Sequence, residues 1–363
     1  MNHTADIEPF TSEGLQTFSL WYSQWHGIVS LTICVIGIPL NIINIIVLTR
    51  RQMETPINCI LLWLAVADIA TMMSYVPFAV HFYCEFSAYS ISSEKNSWGW
   101  MNFLLVYINF SSTTHTISIW LAVALAMFRH HHVHSPSTGS ITQVRRLVRA
   151  RFIVFIIVAM SVVFMIPNYL SHKLREVRFR DNTTGYVFQD WELGSGKIKP
   201  IKVISLLTYS ILAKIIPCVL IIVYGGLLLQ TLKNTMKKRR RLTGTRHGPD
   251  PSRTTIMLLV VIVLFLVTEL PQGILILCSL YMEKFFDNIY IPLGDVMDII
   301  ALINNGVNFV LYCTMSHEFR RTFINLFCAF AQQQSRRGSN VSSNIFKHRL
   351  HTTMITDIQI KSV

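Results

Sequence analysis

The sequence predicts an all-α membrane protein: a seven-transmembrane helix bundle followed by a short amphipathic eighth helix. Three observations predict it. Of 363 residues, 52% are hydrophobic and only 14% charged, with a mean hydropathy of +0.44. A water-soluble domain carries about 25% charged residues. The apolar residues fall into seven blocks, roughly 28–49, 58–83, 101–127, 152–170, 203–231, 255–281 and 294–314, each near the length a helix needs to cross a bilayer. The basic residues gather in alternate connections: Arg50 and Arg51, then Arg145, Arg146, Arg149 and Arg151, then a run from Lys233 to Arg253.

The charge pattern sets the orientation. Loops rich in Lys and Arg remain in the cytoplasm, so the N-terminus lies outside. The loop 171–202 is also basic but mixes in Glu176, Asp181, Asp190 and Glu192, which keeps the bias. The net charge of +13 therefore borders spans and points to a lipid surface rather than to nucleic acid. Residues 1–26 are polar, without Lys or Arg, so no signal peptide is evident and the first apolar run reads as a retained span. The chain divides into an extracellular tail 1–27, a seven-helix domain 28–315, an amphipathic helix 316–330 at the membrane surface, and a disordered cytoplasmic tail 331–363. The expected location is the plasma membrane.

Sequons at Asn2 and Asn182 fall outside in this topology and are expected to carry glycans. Seven cysteines are present, but only Cys84 lies near the outer surface, so an extracellular disulfide within the chain has no partner. The histidines 130, 131, 132 and 134 lack zinc-site spacing and read as interface residues. No metal or cofactor is implied, and no His-Glu-x-x-His or paired catalytic acid suggests an enzyme.

Each span carries an odd polar residue or a proline: Asn41 in "GIPLN", Asp68 in "LLWLAVADIA", Arg129 in "AMFRHH", Pro217 in "KIIPC", Glu269 and Pro271 in "FLVTELP", and Asn304, Asn305, Asn308 and Tyr312 in "NNGVNFVLY". Polar groups inside a span face the bundle and need partners there. Asn41, Asp68, Asn304 and Asn308 form a candidate polar core network, with a bound sodium ion as an open alternative. Pro77, Pro167, Pro217 and Pro271 each remove a backbone hydrogen bond and bend their helices.

Glu269 poses the sharpest question, because a carboxylate meeting lipid would cost several kcal/mol. Lys214, the only Lys or Arg between Lys202 and Lys233, is its expected partner in a buried ion pair or water-bridged pair, with His115 and Gln272 adding hydrogen bonds. Glu269 protonated and hydrogen-bonded alone is the alternative.

The ordered set of motifs resembles the rhodopsin-like (class A) G-protein-coupled receptors over about 28–330. Within them, "SYVPFAVHFYC", "HTISIWLAVALAMFRH" and "TELPQGI" are similar to insect and nematode myosuppressin and FMRFamide-like neuropeptide receptors. The resemblance implies that Arg129 and Tyr312 serve coupling to a heterotrimeric G protein. It implies an extracellular peptide ligand, amidated and RFamide-like, whose arginine meets an acid near the outer mouth. Asp298 is the first choice, Asp190 and Glu192 are weaker ones, and Tyr107 is a candidate for the ring. Arrestin binding to a phosphorylated tail and palmitoylation of Cys328 are further expectations. Departures from the pattern are Phe128 before Arg129, Phe309 in the seventh-span motif, Glu269 in place of tryptophan, and no third-span cysteine. The third span lacks the acid of an amine receptor and the seventh lacks the lysine of an opsin. A receptor for a non-peptide ligand, chemosensory or lipid, and a membrane transporter remain as alternative readings.

Overall fold

Seven helices among the described residues are long and apolar enough to cross a membrane: Glu13–Leu48, Pro56–Glu85, Trp98–His132, Ile141–Ser171, Pro200–Asn234, Ile262–Tyr281 and Asn288–Thr314. They belong to a computed structural model that describes residues 13–134, 140–179, 182–189, 200–243, 251–282 and 285–327. The described residues fall into two compact units that part between Leu311 and Tyr312. In chain order the elements are α1 (Glu13–Leu48), α2 (Pro56–Ala79, continued by a π-helical segment Val80–Glu85), α3 (Trp98–His134), α4 (Ser140–Ser171), a hairpin of β1 (Leu174–Arg178) and β2 (Thr184–Phe188), α5 (Pro200–Thr208), a π-helical turn Tyr209–Ile215, α6 (Ile216–Thr243), α7 (Pro251–Tyr281), and α8 (Ile291–Met315) after a π-helical turn Phe286–Tyr290. The fifth span is α5 and α6 together; α7 and α8 are the sixth and seventh.

The outside of the bundle is apolar. Val35, Phe155 and Val106 are each about two-thirds exposed, a pattern that suits hydrocarbon rather than water. Polar groups are inside instead. On α1, Ser19, Ser23, His26, Ser30, Asn41 and Asn44 are buried while Phe18, Trp21 and Trp25 face outward.

This inside-out pattern explains a correction. The helix begins at Glu13, about four turns before the boundary at 28 read from the sequence, so the second half of the expected 1–27 tail belongs to the first helix. Its buried serines and histidine depress the local hydropathy although they lie on the packed face. Ser19 Oγ and the Tyr89 hydroxyl, 2.6 Å apart, fasten its start to the loop after α2. The start of α2 follows from local chemistry: Pro56 occupies the first turn and Thr55 Oγ accepts from the Asn58 N–H at 3.1 Å.

The strand pair was not expected. It pairs Leu174 with Phe188 and Arg178 with Thr184, antiparallel, around a turn in which exposed Asn182 takes a left-handed φ of 60°, a conformation asparagine tolerates. Asn96 holds the hairpin against the start of α3. Its carbonyl accepts from Tyr186 N–H at 2.8 Å and its amide donates to Tyr186 O at 3.1 Å. Cys84 is exposed with a free thiol.

In the second unit, residues 317–327 form a further helix. Ser316 Oγ accepts from the Phe319 N–H at 3.1 Å, and Phe319 packs on the Tyr312 ring with centroids 5.8 Å apart.

The π-helical turn before α6 shapes the bundle. Ile216 N–H reaches back five residues to Ile211 O, and Pro217 has no N–H to give. Leu212 O is left for another donor, the Trp120 Nε1–H of α3, at 3.2 Å. Opposite this turn α7 carries Gly273. A Cβ there would come within 2.9 Å of Lys214 Cβ, and Gly273 O accepts from Ser210 Oγ at 2.6 Å. Gly273 therefore sets how closely α7 approaches the fifth span. Gly273→Val is expected to destabilise the protein by about 1–3 kcal/mol through overpacking, while Gly226→Ala, where nothing lies within 4 Å, leaves it unchanged. Thermal melts of the detergent-solubilised variants check the contrast.

Candidate functional site

A cavity of about 450 Å³ lies among α2, α3, α4, the fifth span, α7 and α8, on the face where α1 begins. This size falls within the roughly 300–1,000 Å³ of ligand pockets. Its wall includes Tyr75, Tyr107, His115, Tyr209, Gln272, Tyr290 and Asp298, and its rim includes Lys95. Lys95 Nζ donates to the carbonyls of Ser87, Ala88 and Ser90 at 2.6, 2.8 and 3.1 Å, which ties the loop after α2 into a cap. Burial pushes its ammonium down to about 8, so it remains charged at neutral pH.

Below the cavity sits the pair expected from the sequence. Lys214 Nζ donates to Glu269 Oε2 at 2.6 Å, and the two side chains are 0% and 1% exposed. The π-helical turn and Gly273 bring them together. His115 Nε2 lies 3.2 Å from the same carboxylate oxygen, and Thr268 Oγ1 is 3.3 Å from the other. An ionised carboxylate only accepts, so Nε2 carries a proton, and in the neutral ring Nδ1 is then an acceptor. Nδ1 is buried with no partner among the described residues. Lys214 also faces the Tyr209 ring, 5.4 Å from its centroid.

Gln272 departs from expectation. It lines the cavity, but its side chain interacts with Tyr290 rather than with Glu269. Residue 272 is three positions beyond Glu269 and past Pro271, on the side of the helix that opens to the cavity.

Asp298 is half-buried in the cavity wall, where the Tyr75 hydroxyl donates to its Oδ2 at 3.3 Å. Tyr75 also meets His26 Nε2 at 2.7 Å. Asp295, one turn earlier on the same face of α8, accepts from the Tyr83 hydroxyl at 2.6 Å. Sequence reasoning missed Asp295, although i and i+3 spacing on a helix was the available signal. Tyr107 stacks on Phe78 with centroids 4.5 Å apart. Asp190 and Glu192 lie outside the described residues.

Deeper in the bundle, Asp68 is 1% exposed and accepts from Ser118 Oγ at 2.9 Å and Asn308 Nδ2 at 2.7 Å. Asn41 Nδ2 donates to Asn305 O at 2.9 Å, and Asn41 Oδ1 accepts from Asn44 Nδ2 at 3.3 Å. Asn304 is corrected: among the described residues its side chain makes no hydrogen bond to this network, and the backbone of its neighbour Asn305 takes its place. Ser118 was also missed; it lies three residues after His115 and shares its helix face.

On the opposite face Arg129 is half-buried in the last turns of α3. Phe128 lines a separate cavity of about 420 Å³ with Met127, Ile153, Tyr224, Arg146 and Arg149. Lys237 and Lys238 lie on α6, which reaches to Thr243. Asn2, Cys328 and the tail 331–363 lie outside the described residues.

Residues 28–330 match the family described as serpentine type 7TM GPCR chemoreceptor Srw. The chain is 31% identical to the G-protein coupled receptor dmsr-1 of Caenorhabditis elegans over 85% of this chain and 69% of that one. It is 25% identical to the sex peptide receptor of Drosophila melanogaster, over 81% and 70% of the two chains. It is 23% identical to the Drosophila FMRFamide receptor, over 85% and 54%.

The buried pair makes a prediction that does not depend on a ligand. Glu269→Gln leaves the Lys214 ammonium without its counter-charge and is expected to destabilise by about 3–5 kcal/mol. Adding Lys214→Met removes the stranded charge and is expected to restore most of the loss. Thermal unfolding of both single variants and the double variant measures the coupling, and strictly additive effects would contradict it.

Proposed function

The chain belongs to the serpentine seven-transmembrane G-protein-coupled receptors, and we propose that it is a neuropeptide receptor whose ligand ends in a basic residue followed by an amidated aromatic residue. The observation that carries this reading is the polarity of the cavity. Its wall holds Asp298, with Asp295 nearby, among tyrosines. Its lower part holds His115, whose Nδ1 has no partner among the described residues and is an acceptor in the neutral ring. A terminal carboxamide supplies N–H donors to such an acceptor, whereas a free carboxylate supplies none and would sit close to Glu269. Tyr107 and His115 are about 12 Å apart along α3. That separation is within reach of groups at the last two positions of an extended peptide. A guanidinium at Asp298 would gain about 1.5–3 kcal/mol as a charge-assisted hydrogen bond. The names of two relatives, FMRFamide receptor and sex peptide receptor, support a peptide ligand. The word chemoreceptor in the family description favours a small non-peptide ligand as the second reading.

The cavity face is extracellular and the opposite face cytoplasmic, in the plasma membrane. Binding shifts the bundle toward a state with an opened cytoplasmic face that engages a heterotrimeric G protein through Arg129 and the end of α6. Tyr312 serves the same coupling. Asp68 and Asn308 form the polar core that the helices share. The tail recruits arrestin once phosphorylated, Cys328 carries a palmitoyl chain, and Asn2 and Asn182 carry glycans. The exposed left-handed turn at Asn182 suits a glycan acceptor.

An amidated peptide ending in Arg-Phe is expected to activate the receptor in cells at concentrations at least about tenfold below its free-acid form, the equivalent of one hydrogen bond. Asp298→Asn is expected to lower potency by a comparable factor or more. Equal potency of the two peptide forms would refute the amide contact. Arg129→Ala is expected to abolish nucleotide exchange on the G protein while radioligand binding persists. Full exchange by that variant would remove the residue from the coupling face.

A further inference from the structure

We propose that the groove between the first turn of the bundle and α4 is a binding site for an anionic phospholipid. The 3₁₀ turn Arg51–Met53 joins α1 to α2, and here a cavity of about 700 Å³ opens between that turn, α2 and α4. Its polar end holds Arg50, Arg51, Arg151 and Glu54. Arg151 is paired with Glu54 at 3.0 Å. Arg50 and Arg51 are exposed and have no side-chain partner among the described residues. Three arginines thus line the groove with one carboxylate, and Arg50 and Arg51 are left to meet a phosphate in the bidentate manner arginine favours.

The rest of the groove is apolar and runs away from that charge. Phe155 lies one turn along α4 from Arg151, and Trp63 two turns along α2 from Pro56, about 6 and 10 Å respectively. They are 69% and 44% exposed and both line the groove. A cationic end at the junction of two spans with an aromatic trough rising from it matches a lipid: phosphate at the headgroup level, acyl chain against the rings. A protein partner reaching from the aqueous side would have no means of filling the part beside Trp63 and Phe155, which face hydrocarbon. The site stands apart from the cavity that includes Asp298 and does not depend on what that cavity binds.

Native mass spectrometry of the full receptor in neutral detergent tests it, with dioleoyl phosphatidylserine and dioleoyl phosphatidylcholine as probes. The unmodified chain is expected to retain phosphatidylserine in preference by about 30-fold, two arginines at an anionic surface. Arg50→Ala with Arg51→Ala is expected to erase the preference. Arg145→Ala with Lys233→Ala removes two exposed charges from the same face outside the groove and is expected to keep it. Trp63→Ala with Phe155→Ala, which leaves the arginines in place, is expected to weaken retention of both lipids. Equal losses from the two charge-removing pairs would show a diffuse field and overturn the site. So would a preference that survives loss of Arg50 and Arg51. Competition by chain-free glycerophosphoserine at equal concentration would show a plain phosphate pocket and overturn the lipid assignment.

Discussion

A lysine and a glutamate that share no surface with solvent govern the middle of this molecule. In lipid neither charge has an alternative partner, so the chain around Lys214 and Glu269 is built to keep them 2.6 Å apart. Three backbone devices do this. The π-helical turn Tyr209–Ile215 adds a residue to the fifth span and turns Lys214 inward. Pro217 makes that turn hard to regularise, because an α-helical continuation would lack its N–H. Gly273 removes the side chain that would hold α7 away. Such a pair need not add net stability over an apolar substitute. Its effect is specificity of arrangement, since few placements of α7 satisfy both charges.

A second polar chain links the first, second and seventh spans near the mouth of the cavity. His26, Tyr75 and Asp298 connect in sequence, and Tyr83 meets Asp295 beside them. This accounts for the early start of α1: without the turns before residue 28, His26 would not reach Tyr75. The loops follow the same economy of means. With no cysteine at the start of α3 and Cys84 free, the hairpin is held by two hydrogen bonds to Asn96 and by its own ladder. These bonds are individually weak, and together they hold the hairpin to the start of α3 without a covalent tie.

The seven spans were legible because hydrocarbon forces long apolar runs. The Lys214–Glu269 pair was legible for a related reason: one acid and one base in two neighbouring spans leave little choice of partner. Asp68 with Asn308 followed from the same logic. What was not legible shares a cause as well. The start of α1 hides its helical face behind polar residues that are buried rather than exposed. Asn305 contributes through its backbone, which no side-chain pattern reports. Gln272 has the right spacing for Glu269, but its side chain meets Tyr290 across from α7, a partner that spacing along one helix does not report. The hairpin has the alternation of a strand pair in "LREVR" and "TGYVF" and a turn in "DNTTG", signals overshadowed by the strength of the membrane pattern around them.

Where α7 meets its neighbours, two kinds of contact divide the helix. Toward the opposite face, Ile119, Val123, Cys218, Ile221 and Phe265 pack as an apolar cluster. Such packing is non-directional and allows one helix to slide or rotate over another at modest cost. At the level of Pro271 the contacts are directional: Lys214 and His115 on Glu269, and Ser210 on Gly273 O. Rotation of α7 therefore meets its sharpest resistance at one carboxylate. His115 is the member of this set that also lines the cavity. On the proposed reading, a ligand group that engages its Nδ1 acts on the same ring whose Nε2 meets Glu269. A ligand can shift a conformational equilibrium only by as much as its affinity differs between the two states. On the proposed reading, the carboxylate of Glu269 supplies that difference, because it is where occupancy of the cavity and the orientation of α7 meet in one hydrogen-bonded group.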